Sequence, residues 1–221
     1  MAERCFLYYI TDRSAFASDE PSRRRRLLEK IAEAARSDID YIQLREKDLP
    51  ARELESLACE AVDILRQLRA ETRELKTALL INSRTDVALA VRADGVHLRS
   101  DDIRPQDVNQ IWGQSGASRA LIGVSCHSAT EVKQAEGDGA SFVVFAPVFE
   151  KKDVPGSQPV GLTGLRETCR AKIPVLALGG ISLENAKECL DAGAAGIAGI
   201  RLFQENDVQK VVDRVRQLQR R

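Results

Sequence analysis

The segment that decides the fold is "YIQLREKDLPARELESLACEAVDILRQLRAETRELKTALLIN", residues 41–82. It begins with the short β-rich run "YIQLRE" (41–46) and ends with the apolar run "ALLIN" (78–82). Between these runs, apolar residues recur at helical spacing: Leu54, Leu57, Ala58, Ala61, Leu65 and Leu68. A strand, an amphipathic helix and a second strand in this order predict two parallel strands with the helix packed against their sheet.

The same alternation continues along the chain. Six further strands are predicted at "FLYYIT" (6–11), "DGVHL" (94–98), "LIGVSC" (121–126), "FVVFAPVF" (142–149), "PVLALGG" (174–180) and "GIAGIR" (196–201). Most are continuous apolar runs, which are typical of strands covered on both faces. Eight strand–helix units favour a closed parallel (β/α)8 TIM barrel, with residues 1–221 as a single domain. The alternative, an open doubly wound sheet, lacks a GxGxxG motif after the first strand.

Composition narrows the class of protein. The 33 basic and 33 acidic residues balance, so no excess charge indicates nucleic-acid or membrane-surface binding. No apolar stretch approaches the roughly 20 residues that cross a bilayer, and the start of the chain lacks a signal-peptide pattern. The five cysteines are scattered, odd in number and without a CxxC pair, which favours reduced thiols in a cytoplasmic protein. The sequence leaves the oligomeric state open, a homo-oligomer included.

The polar residues at the predicted strand ends are the candidates for function, because active sites of this architecture lie there. Side chains alternate across a strand, so Gln43 and Arg45 face away from Ile42 and Leu44, with Lys47 just beyond. Positive charges that point into a fold are unfavourable unless an anion meets them. Together with an acidic pair after the fourth strand and glycines after the seventh, they suit a phosphorylated ligand with a divalent cation.

Six blocks of sequence carry a family resemblance. "QLREKD", "INSRTDVALAVRADGVHLRSDD", "GVSCHS", "APVFEKK…PVGLTGL", "LALGGISLENA" and "AGAAGIAGIRLF" resemble, in this order and over nearly the whole chain, the thiamine phosphate synthases. That family joins a hydroxymethylpyrimidine diphosphate to a thiazole phosphate and releases pyrophosphate. The resemblance implies a transferase of thiamine biosynthesis with Mg2+ as cofactor. A thiazole tautomerase of the same superfamily, and a non-catalytic phosphate-ligand-binding protein, are the alternatives.

The resemblance also implies roles for individual residues. Residues implied to bind the pyrimidine diphosphate are Gln43, Arg45, Lys47, Asn82 and Ser125, and those implied to bind phosphate are Gly179, Gly180, Ile200 and Arg201. Arg45, Lys47 and Ser125 would also assist departure of the diphosphate. For some of them there is a simpler alternative: ion pairs with Glu46 or Asp48 for the two cations, a turn for Asn82, and packing for the glycines.

Two histidines are distinguished by their blocks. His127 corresponds to a histidine implicated in proton transfer in the tautomerase, a task that suits imidazole near neutral pH. The alternative is a histidine that orients loop backbone. His97, in the "GVHL" block, is expected to pack or hydrogen-bond structurally.

The implied metal site departs from the family pattern. Asn82–Ser83 stands where the family has Asn-Asp, and Arg99–Ser100 stands where it has Gly-Gln. The implied magnesium ligands are Asp102, Asp101 and Ser83; one carboxylate would suffice, because Mg2+ often takes one or two together with water and substrate phosphates. The alternative for the acidic pair is an N-cap of the helix near Pro105.

The loop after the sixth strand departs as well. "EKKDVPGSQPVGL" lacks the threonines of the family's PTxTK loop, so their phosphate contacts cannot be transferred. Lys151 or Lys152 is the candidate catalytic lysine, and the sequence does not choose between them or exclude solvated surface lysines. It also does not distinguish a carboxylated thiazole substrate from a carboxyl-free one.

Overall fold

The eight strands form a closed, wholly parallel barrel in sequential order. The computed structural model describes residues 4–17, 19–72, 74–116, 119–150 and 158–219. The strands are β1 (Phe6–Ile10), β2 (Tyr41–Leu44), β3 (Ala78–Asn82), β4 (Gly95–Leu98), β5 (Leu121–Cys126), β6 (Phe142–Phe145), β7 (Val175–Ala177) and β8 (Gly196–Gly199). Each pairs with its sequence neighbours, and β8 pairs with β1 to close the ring. The predicted TIM-barrel fold is confirmed.

Helices surround the barrel. They are α1 (Glu20–Arg36), α2 (Ala51–Glu71), α3 (Thr85–Val91), α4 (Pro105–Gln114), α5 (Ala129–Gly137), α6 (Gly161–Thr168), α7 (Ala186–Asp191), α8 (Arg201–Gln204) and α9 (Val208–Gln219), with a 3-10 turn at Arg13–Ala15. The apolar stripe predicted on α2 is buried against the strands, as its spacing requires. Within the described ranges, no helix is both long and apolar enough to cross a membrane.

Several strands end earlier than predicted, for one tertiary and one local reason. β2 ends at Leu44 rather than residue 46, because the N–H of Arg45 donates to the Thr11 hydroxyl instead of continuing the ladder. β6 ends at Phe145 rather than residue 149, just before Pro147, which has no N–H to donate. β7 covers 175–177 rather than 174–180, and the other corrected bounds are 6–10, 95–98 and 196–199. The released residues form loops at the rim.

Two hydrophobic layers position the site. The outer layer packs the helices against the barrel. The inner layer fills the barrel with Tyr8, Ile10, Leu80, Phe142, Val144, Leu176 and Ala198. Tyr41 stacks on Phe142 with ring centroids 4.9 Å apart. Because side chains fill the barrel interior, a ligand must bind above this layer, at a mouth of the barrel.

Candidate active site

A cavity of about 800 Å3 opens at the C-terminal ends of the strands. Predicted site residues that line it are Gln43, Arg45, Lys47, Asn82, Asp101, Ser125, His127, Gly179, Gly180, Ile200 and Arg201. Ser83 and Asp102 are hydrogen-bonded to each other beside residues of its wall. Lys151 and Lys152 lie outside the described residues. The structure therefore brings most of the predicted side chains to one cavity.

Gln43 and Arg45 point inward, as strand alternation predicted. Gln43 is buried and donates from Nε2 to the Tyr8 hydroxyl at 2.9 Å. Arg45 is half-buried, and its pKa is lowered chiefly by burial, which Asp12 and Glu46 partly oppose. Glu46 and Asp48 both bind the guanidinium of Arg13. The ion-pair alternative is therefore wrong for Arg45, whose charge faces the cavity.

A chain of hydrogen bonds crosses the barrel beneath the cavity. The Tyr8 hydroxyl lies 3.1 Å from Nδ1 of His97, and Nε2 of His97 lies 2.9 Å from Oγ of Ser125. Burial, and then the charge of Arg45, lower the pKa of His97 to about 3, so the imidazole is neutral at pH 7. His97 is thus buried and hydrogen-bonded, in the structural role expected from its block.

The direction of this chain follows from its donors. Tyr8 accepts from Gln43, so its own hydrogen goes to Nδ1 of His97, and the imidazole hydrogen sits on Nε2. His97 then donates to Ser125, which leaves the Ser125 hydroxyl hydrogen to donate elsewhere. Ser125 lines the cavity, so this arrangement presents a hydrogen-bond donor to an anionic ligand oxygen.

His127 ties two rim loops together. Its Nδ1 donates to the carbonyl oxygen of Ala146 at 2.7 Å, and its backbone N–H donates to Glu131 at 2.6 Å. The contact with the Ala146 carbonyl therefore agrees with the interpretation that His127 orients loop backbone. In the neutral form this tautomer leaves Nε2 as an acceptor on a residue that lines the cavity.

The acidic side of the rim is organised around Asp102. Its Oδ2 accepts from the Ser83 hydroxyl at 2.7 Å and from the N–H of Arg99 at 2.8 Å. The Arg99 guanidinium also reaches Asp101 at 2.9 Å and lies 3.5 Å from Oδ1 of Asp102. α4 begins after Arg104 without a side-chain cap, so the N-cap interpretation of the acidic pair is wrong.

The oxygens on this side come close together without forming a complete metal site. Asn82 donates to the Ser83 hydroxyl at 3.3 Å, which places an amide, a hydroxyl and a carboxylate in sequence. In the part of the chain that the structure describes, no three His, Cys, Asp or Glu side chains form a group that could hold a metal ion. A cation here would need oxygens from a bound ligand.

Gly179 and Gly180 line the cavity, and their lack of a side chain also lets a neighbouring loop pack closely against them. Gly179 and Gly180 have φ of 100° and 64°, a region that glycine adopts readily. A Cβ on Gly179 would lie 2.8 Å from Cα of Pro147, and one on Gly180 would lie 2.6 Å from the Glu150 carbonyl oxygen. Glycine is required here because the loop after β6 crosses directly over both residues.

The wall on the other side of Gly179 and Gly180 comes from β8. Ile200 directly follows this strand, and α8 begins at the exposed Arg201. Both residues line the same cavity as the glycines. Two glycines, Ile200 and one arginine therefore line the part of the cavity where phosphate binding was predicted.

The comparison with protein families decides the relationship. A family model described as "Thiamine monophosphate synthase" matches residues 7–203. The chain belongs to this family. It is 40% identical over 200 residues to "Putative thiamine-phosphate synthase 2" of Aquifex aeolicus, a match that covers 90% of this chain and 97% of the relative. It is 38% identical to "Thiamine-phosphate synthase" of Roseiflexus castenholzii, with 89% and 80% covered.

A solved structure agrees with the family assignment. The chain superimposes on a thiamine phosphate pyrophosphorylase from Pyrococcus furiosus with a TM-score of 0.77 and 32% identity, covering 98% of this chain and 96% of the other. The barrel and the cavity at the C-terminal ends of its strands therefore belong to a member of the thiamine monophosphate synthase family.

Sequence reasoning missed a buried network in this family member. Thr11 and Arg13, just after β1, contact Glu46 beneath the loop that carries Arg45 and Lys47. Glu46 had been considered only as a partner for the two cations. Its strand parity, opposite to that of Arg45, was the available signal that it points elsewhere.

Proposed function

We propose that this protein is a thiamine-phosphate synthase. It would join 4-amino-2-methyl-5-hydroxymethylpyrimidine diphosphate to 4-methyl-5-(2-hydroxyethyl)thiazole phosphate, giving thiamine phosphate and pyrophosphate. One observation carries the proposal: Arg45 and Lys47 after β2 line the same cavity as Gly179, Gly180 and Arg201. A single cavity with two groups of anion-binding residues suits two phosphorylated substrates.

The residues have distinct roles in the proposed reaction. The bond between the pyrimidine methylene and the diphosphate breaks first, and the thiazole nitrogen then captures the resulting pyrimidine cation, so no protein nucleophile is needed. Arg45 offers a planar fork of donors to the departing diphosphate, and Lys47 offers a compact charge. The Ser125 hydroxyl donates to a diphosphate oxygen, and Lys151 or Lys152 adds a further charge. Arg45, Lys47 and Ser125 line the cavity before the charge develops, and such preorganised groups are the main way a site of this kind lowers a barrier.

Magnesium is the proposed cofactor. The residues on the acidic side fit an ion shared with the substrate, because the partly exposed Asp102 carboxylate lies beside the Ser83 hydroxyl and Asp101. Asp102 would be the main ligand, with Asp101 and Ser83 contributing directly or through water. When bound, the ion would neutralise charge on the diphosphate.

Thiazole tautomerisation is the second candidate function. It is favoured by His127, which lines the cavity and, as the neutral tautomer, has an unprotonated Nε2. A tautomerase has no diphosphate to hold, so the inward placement of Arg45 and Lys47 favours the synthase. A His127→Ala variant separates the two: we expect a synthase to keep its rate within about threefold, and a tautomerase to lose the 10²–10⁴-fold contribution typical of a general base.

The direct test is a coupled assay of the purified protein. With both substrates and magnesium we expect pyrophosphate and thiamine phosphate in equal amounts, and neither product when the thiazole is omitted. Parallel reactions with the carboxylated and the carboxyl-free thiazole phosphate identify the acceptor. Absence of pyrophosphate release with either thiazole would exclude the transferase. In the part of the chain that the structure describes, the five cysteines form no disulfide, which supports our further proposal of a cytoplasmic location.

A further inference from the structure

We propose that Glu46 is a positioning residue that holds Arg45 and Lys47 in place for a diphosphate. The inference rests on the proposed function and deepens it. Glu46 does not itself line the cavity, but it stands directly between the two cations in sequence. Its side chain is 1% exposed, and the Arg13 guanidinium that it binds is 5% exposed. Both charges are therefore buried beneath the loop that carries the two cations.

Both carboxylate oxygens of Glu46 are occupied by the segment that follows β1. Oε1 accepts from the Thr11 hydroxyl at 2.5 Å. Oε2 accepts from the backbone N–H of Arg13 at 3.0 Å and from its guanidinium at 3.3 Å. Charge-assisted hydrogen bonds of this kind are strong and directional. They fix the carboxylate against β1, and with it the backbone of residue 46.

The same threonine fixes the residue before Glu46. The backbone N–H of Arg45 donates to Oγ1 of Thr11 at 3.0 Å, so one hydroxyl binds Arg45 and Glu46 together. Asp48 receives two hydrogen bonds from Arg13, at 2.7 and 2.9 Å. Thr11 and Arg13 thus hold residues 45, 46 and 48 from one side. Lys47 lies between two of these held residues.

A structural role alone does not account for this choice of residues. A buried ion pair contributes little net stability relative to well-packed apolar side chains, because desolvation offsets the attraction. What such a pair can supply is a single geometry. Near this loop a single geometry matters, since a shift of about 1 Å in a charged contact can reduce a rate by roughly 100-fold.

The test compares Glu46→Gln with the matched control Glu20→Gln. Glu20 also binds Arg13, at 2.6 Å, but it lies on α1 and is 52% exposed. Titration calorimetry measures the affinity of each variant for inorganic pyrophosphate, for the pyrimidine diphosphate and for the thiazole phosphate. We expect Glu46→Gln to weaken binding of the two diphosphate probes roughly 10- to 100-fold, with thiazole phosphate binding within about twofold of wild type. Glu20→Gln should resemble wild type for all three.

Equal weakening of all three ligands would show a general structural role and overturn the proposal, as would unchanged diphosphate affinity. If Glu46→Gln does not fold, Thr11→Val and Thr11→Ser replace it, since only serine retains the hydroxyl that binds Arg45 and Glu46. Thr11→Val should then weaken diphosphate binding selectively, and Thr11→Ser should restore it; equal affinities would contradict the inference.

The wild type separates the positioning inference from the proposed function. If the wild type binds pyrophosphate but forms no product, the proposed function is wrong, and the positioning inference is judged from the variants. A wild type that binds no pyrophosphate overturns the positioning inference itself.

Discussion

Two parts of the rim differ in how their charges are supported. After β2, Arg45 and Lys47 lie over a buried carboxylate–guanidinium pair, Glu46 and Arg13. After β4, Asp101 and Arg99 pair at the surface, with side chains 71% and 56% exposed. Exposed pairs contribute about 0–1 kcal/mol, whereas breaking a buried pair costs about 3–5 kcal/mol. We therefore expect the cationic side, after β2, to be the rigid side, and the acidic side, after β4, to tolerate change.

The distribution of unusual residues matches this difference. Ser83 and Arg99, which depart from the family pattern, both contact Asp102 on the weakly supported side. Gln43, Arg45 and Lys47, which keep the pattern, lie on the rigid side. The comparison predicts larger effects from mutations after β2 than from those after β4.

The largest effect is expected for Arg45→Ala. Loss of a half-buried guanidinium that lines the cavity would remove the proposed charge-assisted hydrogen bonds to the diphosphate, each of which contributes about 1.5–3 kcal/mol. We expect kcat/KM for the pyrimidine diphosphate to fall roughly 100-fold, since each 1.4 kcal/mol corresponds to about tenfold. Arg45→Lys should recover part of the loss because it keeps the charge without the fork.

Arg52→Ala is the control for this experiment, since Arg52 is exposed on α2 and does not line the cavity. It should keep the wild-type kcat/KM. Equal activity of Arg45→Ala and wild type would remove the rigid side from the proposed mechanism and reverse the comparison.

The next effect concerns stability and pH, through His97. Its pKa is about 3 in the folded protein against 6.5 ordinarily, so the unfolded state binds the proton first as the pH falls. The stability contributed by the neutral, buried imidazole is fully present above about pH 6.5 and is lost as the pH falls towards 3. Between about pH 7.5 and pH 5 this amounts to about 2 kcal/mol in the free energy of unfolding.

Urea unfolding of His97→Gln at several pH values checks this expectation. The variant should show a flatter dependence of the free energy of unfolding on pH across this interval. His127→Gln removes the other of the two histidines, an exposed one, and is measured in parallel. Identical slopes for wild type and His97→Gln would show that the imidazole beneath the rim is protonated without loss of structure.

The sequence predicted the barrel well because its signals are local. Apolar runs mark strands buried on both faces, and the stripe on α2 is visible in any helical wheel. The end of β2 was less accurate because it depends on a distant partner: Thr11 ends this strand, and no local pattern shows that contact. The family assignment is confirmed, since the quoted blocks lie in the region that the family model matches.

The residues of the candidate site could be predicted from the sequence better than the hydrogen bonds and ion pairs between them. Strand parity placed Gln43 and Arg45 inside, and the cavity includes them. The Glu46–Arg13 pair joins residues 33 apart in sequence, and the Gln43–Tyr8–His97–Ser125 chain joins four strands. Such contacts follow from barrel closure and cannot be deduced from spacing. The roles of the individual site residues stay predictions until the variants are measured.

The smallest effect is expected on the acidic side, from Arg99→Gln. The Arg99 guanidinium lies 2.9 Å from Asp101 and 3.5 Å from Asp102, so its positive charge opposes a cation at these carboxylates. Glutamine removes the charge and keeps most of the side-chain length. We expect the magnesium concentration for half-maximal binding, measured by calorimetry in the presence of pyrophosphate, to fall roughly two- to fivefold, in line with an exposed ion pair.

Two further variants interpret the result. Arg104→Ala removes another exposed arginine, paired with Asp107 on α4, and should leave the magnesium dependence unchanged. Ser83→Asp adds a further carboxylate to Asp101 and Asp102 and should strengthen magnesium binding more than Arg99→Gln does, because ligand charge raises affinity for a hard cation. If Arg99→Gln instead weakened pyrophosphate binding and left magnesium affinity unchanged, Arg99 would itself be a cation for the diphosphate. The carboxylates on the acidic side would then hold Arg99 in place, and both parts of the rim would offer positive charge to the diphosphate. The two parts would differ only in whether the ion pair that holds the cation is buried or exposed.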